Sequence, residues 1–310
     1  MNTRTPQRVS LDGMPPEVSI WEVGPRDGLQ NEQLIVPTEI KRELVERLAN
    51  AGLPVVEVTS FVPAKWVPQL ADADELLNSV ARRPDVRYPV LVPNERGLER
   101  ALSCGATDIA VFASATESFA RRNLGRGLVD QYEMFAPVVE QANTRGIGVR
   151  GYLSMCFGDP WEGDVPIAQV VKAAVELVEL GCGELSLGDT IGVATPGHVR
   201  ELLGALPAAG VDLQRVGVHF HDTYGQALAN TLAALEAGVT IVDAAAGGLG
   251  GCPYAQSASG NLATEDLVWL LDGLGIRTGV DLETLVETSV WLADFLGRPS
   301  PSRVVRALRG

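Results

Sequence analysis

The chain has 310 residues, 46% of them apolar and 21% charged, the balance of a globular protein and not of a disordered one. Its net charge of −14 argues against nucleic acid as a partner, because a backbone binder needs a broad basic face, and it obliges any anionic substrate to find a local cationic pocket. No apolar run approaches the roughly 20 residues of a membrane span, so a membrane partner is not expected.

Residues 1–16 carry no apolar signal core and read as a short disordered lead, followed by a single domain over 17–310. Within that domain, short β-branched runs alternate with helical segments. The first strand ends near Val23 and runs into the turn Gly24-Pro25-Arg26-Asp27-Gly28, with a helix expected over Thr38–Ala51. Strands ending near Val58, Val92, Phe112, Leu153, Leu187, Phe220 and Val242 follow in order. Between them the spacing predicts helices over Leu70–Ala81, Glu95–Ser103, Gln131–Arg145, Ile167–Leu180, Pro196–Leu206 and Ala227–Ala237. Glycines punctuate several helix ends, as at Gly52, Gly181 and Gly238. Past the eighth strand, Gly247-Gly248-Leu249-Gly250-Gly251 places four glycines in five residues directly before Cys252 and Pro253. Closing helices are expected over Thr264–Leu271 and Leu282–Leu296. Eight strands with intervening helices predict an α/β fold, a (β/α)8 TIM barrel. The rival, a doubly wound open sheet, usually has fewer strands and a more glycine-rich first turn.

In such a barrel the C-terminal strand ends share one rim, where sites are built. Arg26 and Asp27 follow strand one, Glu57 lies late in strand two, Asp189 ends strand six, and Cys252 and Asn261 lie beyond strand eight. Strand seven ends in His219-Phe220-His221-Asp222; residues two apart on a strand face the same way, so both imidazoles can meet one ligand while Phe220 packs outward. Two imidazoles with a carboxylate and an amide oxygen make a mixed nitrogen and oxygen site for a divalent metal. It suits Mg²⁺ or Mn²⁺, and Zn²⁺ or Co²⁺ also accept such donors. Plainer readings exist for each residue alone. Arg26 and Asp27 can form a surface ion pair, Asp189 and Asp222 can cap helices, and a lone cysteine is most often a small buried apolar residue. Cys104, Cys156 and Cys182 are assigned to that last class, and the absence of any Cys-x-x-Cys pair suits a reducing, cytoplasmic setting. Glu57 inside an apolar run needs a cationic partner, and Arg26 would supply one at the site.

At these residues the chain resembles the 3-hydroxy-3-methylglutaryl-CoA lyase family. The matching stretches are VGPRDGLQNE (23–32), VTSFVPAKWVPQLADA (58–73), LSLGDTIGVATPG (185–197), VHFHDTYGQALANTLAAL (218–235) and GGLGGCPYAQSASGNLATEDLVWLL (247–271), in family order and spread over most of the chain. The resemblance implies retro-Claisen cleavage of a 3-hydroxy-3-methylglutaryl thioester to acetyl-CoA and acetoacetate, by a homodimer. It implies metal ligands at Asp27, His219, His221 and Asn261, and a catalytic set of Arg26, Asp27, Glu57, Asp189, His219 and Cys252. Asp27 is the favoured base, Arg26 the stabiliser of the enolate oxygen, and Cys252, with His219, the proton donor; Glu57 and Asp189 are expected to orient Arg26 and the imidazoles. For the anionic CoA moiety, Lys65 and a loop carrying Arg121, Arg122, Asn123 and Arg126 are the local cationic candidates.

Two departures from the family pattern stand out. Ser257 replaces a usual glycine in the loop, and FGDPWEG (157–163) replaces a Cys-Pro-Tyr segment after strand five, so Asp159 and Trp161 are expected to border the substrate. They leave open the substituent on the acyl group: a longer 3-hydroxy-3-substituted glutaryl thioester and citramalyl-CoA are the alternatives. A non-catalytic barrel that binds CoA esters is the alternative from another class, and a Claisen-type synthase is a third.

Overall fold

The computed structural model describes residues 5–252 and 255–309, with the backbone alone for Cys252 and residues 255–259. Nine parallel strands form its main sheet: β1 (Ser19–Glu22), β2 (Val55–Val56), β3 (Thr59–Ser60), β4 (Val90–Leu91), β5 (Asp108–Ser114), β6 (Gly148–Ser154), β7 (Glu184–Asp189), β8 (Val216–Phe220) and β9 (Ile241–Ala244). β2 and β3 are two halves of one barrel strand, broken at Glu57 and Val58. β2 pairs with β1, in the register Trp21 to Val55, while β3 pairs with β4, in the register Thr59 to Val90. With β9 on the other side of β1, the sheet returns on itself and closes as the expected eight-fold barrel. A short antiparallel pair, β10 (Gly251–Cys252) and β11 (Ala255–Ser259), lies beyond the eighth barrel strand.

The break in the second strand has a physical reason. The Glu57 N–H bonds the Glu22 carbonyl at 2.8 Å and the Val58 N–H bonds the Pro89 carbonyl at 3.0 Å, so the backbone turns from one neighbour to the other between them. Glu57 thereby remains fully buried at the point of crossing.

Outside the barrel lie α1 (Thr38–Asn50), α2 (Ala73–Ser79), α3 (Glu95–Ser103), α4 (Glu117–Leu124), α5 (Leu128–Thr144), α6 (Ile167–Leu180), α7 (Pro196–Ala205), α8 (Ala227–Glu236), α9 (Thr264–Gly273), α10 (Leu282–Leu296) and α11 (Arg303–Arg309). Several differ from expectation. The helix expected over Leu70–Ala81 spans only Ala73–Ser79, after a 3-10 turn at Pro68–Leu70. α4 occupies what reads in sequence as a loop: its two turns bury Phe119, Ala120 and Leu124 and close on Gly125 in the left-handed region. A face only three residues wide is below what periodicity detects. The lead expected to be disordered is tethered within its described part, the Val9 N–H bonding the Gly273 carbonyl at 2.8 Å and Arg8 bonding Asp272 at 2.9 Å. Among the described residues, no helix is long and apolar enough to cross a membrane.

Two buried carboxylates hold the root of the glycine loop. Glu22, at the end of β1, accepts the N–H groups of Gly24 at 2.8 Å and Ala246 at 2.9 Å and the Thr264 hydroxyl at 2.6 Å. Glu265, in the first turn of α9, accepts the Gly247 N–H through both oxygens, at 3.0 and 2.9 Å, and the Ser289 hydroxyl. Burial pushes Glu22 up to about 7 and Glu265 up to about 8. A carboxyl whose pKa rises on folding contributes stability that is fully present below its unfolded value, here 4.5, and is lost as pH rises through about 8. The unfolding temperature of the metal-free protein should therefore decline across that window, and Glu265→Gln should make the decline shallower. An unchanged slope in thermal melts against pH would show that Glu265 does not carry the proton.

Candidate active site

A π-helical turn over Gly24–Gly28 places Arg26 and Asp27 at the C-terminal end of β1, with Pro25 setting its first turn. The Arg26 side chain bends across the barrel mouth to Glu57. Its Nε and Nη2 meet Glu57 Oε2 at 2.9 and 2.8 Å, while Nη1 meets Asp27 Oδ1 at 2.7 Å. The Tyr152 hydroxyl donates to the same Glu57 oxygen at 3.1 Å, and the Tyr152 ring lies 5.2 Å below the guanidinium. Burial alone would weaken the Arg26 charge, but Glu57 and Asp27 outweigh it and raise its pKa above the ordinary arginine value. For Glu57 burial wins over the pull of Arg26, so its pKa is raised. An arginine only 6% exposed is thus held charged and directed by two carboxylates.

Asp27 also meets His219, on β8, and His221, directly after it. One ligand atom each from Asp27, His219 and His221 lie within 4.8 Å of one another. As expected from their spacing, the two imidazoles share the inner face, with ring centroids 5.3 Å apart. Phe220, between them, is buried and packs at 6.0 Å from Phe157. Burial, then the nearby His219, lowers His221 to about 4, which keeps that imidazole neutral. His221 Nδ1 is also buried, with no hydrogen-bond partner among the described residues. Burial would raise Asp27, but Arg26 and the two histidines overcome it and hold the carboxyl at about 2, ionised throughout the physiological range. One carboxylate, two imidazoles and an unpartnered buried ring nitrogen are a donor set that fits a divalent cation.

Asn261 joins this cluster through backbone pairing with His221. Its amide nitrogen donates to Asp27 Oδ2 at 2.8 Å and to the Leu249 carbonyl at 3.1 Å. These two acceptors turn the amide nitrogen toward Asp27 and Leu249. Gly260 allows the approach, since a Cβ there would overlap the Gly250 backbone.

Other expectations meet a different arrangement. Asp189 is buried but accepts the backbone N–H groups of Val193 at 2.9 Å and Ala194 at 3.0 Å, ahead of α7. It organises that loop, and among the described residues no hydrogen bond joins it to Arg26, which Glu57 and Asp27 hold; toward the imidazoles it acts as expected, through its charge on His219. Burial lifts Asp189 to about 6, against the pull of those N–H groups. Asp159, expected to border the substrate, is turned inward: it accepts the Thr116 hydroxyl at 2.6 Å and the N–H groups of Trp161 and Glu162 at 2.7 and 2.9 Å. The side chains of Cys252 and Ser257 lie outside the described residues.

A cavity of about 750 Å³ opens over the cluster, lined at its inner end by Arg26, Asp27, Tyr152, His219 and His221. Its outer part is lined by Arg121, Arg122 and Asn123, which lie on α4 and not on a loop. The Arg122 guanidinium lies 4.3 Å from the Trp161 ring centroid, so Trp161 acts on the cavity wall through that arginine. Lys65 is elsewhere: it lines a separate cleft of about 320 Å³ with Arg96 and Arg100. Arg126 lines neither.

Sequence reasoning missed Tyr152, Asp243, Arg150, Ser186 and Glu22. Arg150, Asp243 and Glu22 carry the signal that exposed Glu57, a lone charge in an apolar strand. Tyr152 and Ser186 carry none, because a tyrosine or serine on a strand is unremarkable until its neighbours are known.

The HMGL-like family model matches residues 17–291. The mitochondrial hydroxymethylglutaryl-CoA lyase of Mus musculus is 50% identical over 298 residues, covering 96% of this chain and 91% of that protein. The crystal structure of the HMG-CoA lyase of Bacillus subtilis superposes with a TM-score of 0.94 at 45% identity, covering 96% of this chain and 99% of that one. An HMG-CoA lyase from Acinetobacter baumannii, solved in complex with coenzyme A and 3-methylmalate, superposes with a TM-score of 0.90 at 34% identity, covering 97% and 98%. With matches of this extent, the chain belongs to the HMGL-like family.

Proposed function

We propose that this chain is a metal-dependent carbon–carbon lyase that cleaves 3-hydroxy-3-methylglutaryl-CoA to acetyl-CoA and acetoacetate, and that residues 17–310 act as one catalytic domain. The observation that carries the reading is the meeting, at the inner end of one cavity, of a fixed guanidinium and a carboxylate–imidazole cluster. The names of the mouse, Bacillus and Acinetobacter relatives support the substrate class.

Asp27, His219, His221 and the Asn261 amide oxygen would hold Mg²⁺ or Mn²⁺, which when bound lowers the pKa of a coordinated hydroxyl and orients the substrate. Asp27 takes the proton of the tertiary alcohol. Its pKa, held low by Arg26 and the histidines, keeps it ionised and able to accept. Loss of the proton lets the carbinol carbon become the ketone of acetoacetate as the C–C bond breaks. The electron pair moves into the thioester as an enolate. Arg26, aimed by Glu57 and unable to give up its own proton, stabilises the enolate oxygen. Protonation of the enolate carbon completes acetyl-CoA; Cys252, on the glycine loop, is the donor in this proposal, together with His219. Arg121, Arg122 and Asn123 at the outer cavity receive the CoA moiety. A homodimer and a cytoplasmic setting complete the reading; the latter is supported by the buried free thiols of Cys104, Cys156 and Cys182. Asp159 is turned inward, so the departure at 157–163 gives no reason to prefer a longer or citramalyl thioester.

A metal-replete cleavage assay across several 3-hydroxyacyl-CoA thioesters, scoring acetyl-CoA release, tests the reading. The 3-hydroxy-3-methylglutaryl thioester should give the highest kcat/KM, and chelation should abolish the activity until Mg²⁺ or Mn²⁺ is restored. His221→Ala should weaken Mn²⁺ binding in a direct titration. Full turnover in the presence of chelator, or cleavage of only a different thioester, would refute it.

Arg26→Lys keeps a positive charge but loses the planar fork that Glu57 and Asp27 hold. If the guanidinium acts mainly on the enolate, the change removes about 3 kcal/mol of transition-state stabilisation, so kcat should fall by orders of magnitude with little change in melting temperature. A near-normal kcat would reduce Arg26 to a structural ion-pair partner.

A further inference from the structure

Beneath the Arg26 turn, the barrel interior holds a second ion pair that takes no part in the reaction just described. Arg150 of β6 and Asp243 of β9 are each 1% exposed. Arg150 Nη2 donates to Asp243 Oδ1 at 2.8 Å, and the Ser186 hydroxyl donates to Asp243 Oδ2 at 2.8 Å. The guanidinium is wedged 3.8 Å from the Trp21 ring centroid and 5.2 Å from that of Tyr152. Room for it is made by Gly217 of β8, where a Cβ would overlap Arg150 Nη2. Burying two charges has a desolvation penalty of several kcal/mol per ion, and well-packed apolar side chains would fill such a space at least as stably. Packing therefore does not account for the pair.

Its contact with a histidine of the candidate active site does. β8 and β9 are in the register His219 to Asp243, so the two side chains share the inner face of adjacent strands. Asp243 Oδ2 lies 3.3 Å from His219 Nδ1. We infer that Asp243 is a positioning residue for His219. Held by Arg150 and Ser186, it accepts the Nδ1 proton of the imidazole and leaves the Nε2 lone pair for the cluster with Asp27 and His221. A neutral imidazole without such an acceptor can carry its proton on either nitrogen, and a proton on Nε2 abolishes that ring as a ligand. Among the described residues His221 has no partner at Nδ1, so the arrangement around Asp243 sets the orientation of one ring of the two. The inference rests on the reading of the cluster as a cation site.

The test uses the full chain, in which His198, His219 and His221 are the three histidines, so that ring ¹⁵N signals can be assigned by substitution. At mildly alkaline pH, metal-free wild-type protein should show His219 as the Nδ1–H tautomer. Asp243→Asn should lose that tautomer and bind Mn²⁺ about 10- to 100-fold more weakly, with unchanged circular dichroism. Because Asp243→Asn strands the Arg150 charge, the paired variant Arg150→Met/Asp243→Asn is made alongside it and should show the same loss. His219 protonated at Nε2 in the wild type would overturn the inference whether or not either variant folds. A folded Asp243→Asn protein with wild-type Mn²⁺ affinity would do the same. Wild-type protein with the Nδ1–H tautomer but no Mn²⁺ binding would instead sink the cation reading, and with it the purpose assigned to Asp243, so the two failures are distinguishable.

Discussion

The arrangement of the barrel mouth depends on keeping one buried guanidinium charged. Arg26 is 6% exposed, and an unpaired charge at that depth would be untenable. Glu57 and Asp27 resolve this from two sides, and each pays a structural consequence. Glu57 reaches the mouth because the second barrel strand breaks at its position and pairs with a different neighbour on either side. Asp27 is drawn so low in pKa that it presents a permanent anion to the histidines. The cation thus orders both the strand geometry and the electrostatics of the neighbouring cluster.

The same economy of polar groups continues below and behind the site. Glu22 bonds the N–H of Gly24, where the Arg26 turn begins, and the N–H of Ala246, where the glycine loop begins. One carboxylate therefore ties together the two segments on which Arg26, Asp27 and Cys252 ride. Under the proposed mechanism the loop bearing Cys252 approaches groups on β1 and β8, and a shared anchor keeps its root in register with them. The bonds from Glu22 and Glu265 lie at the base of that loop, at Ala246 and Gly247.

The cavity wall shows how a departure from the family pattern is absorbed. Asp159 and Trp161 stand where the sequence suggests altered charge and bulk toward a substrate. Asp159 instead closes its own turn on the N–H groups of Trp161 and Glu162, and Trp161 stacks on Arg122. The substitution acts at one remove, through an arginine at the outer cavity, and the inner chemistry is left to Arg26, Asp27 and the histidines.

From the sequence by itself the barrel, the shared rim and the pairing of His219 with His221 are determined, because each follows from local periodicity: apolar runs separated by helices, and side chains two apart on one face. The need of Glu57 for a cation is also legible, since a carboxylate in an apolar run has no other resolution. What the tertiary structure alone decided are the partners. It turned Asp189 onto loop backbone, placed Arg121 and Arg122 on a helix, moved Lys65 to another cleft, and set Asp243 against His219, while the Glu57 and Asp27 pairings with Arg26 follow the sequence reading. Those choices depend on the register between strands far apart in the chain and on space left by residues such as Gly217. A charge announces in sequence that it must be paired, but which group pairs it is a matter of distance, and distance exists only once the barrel has closed.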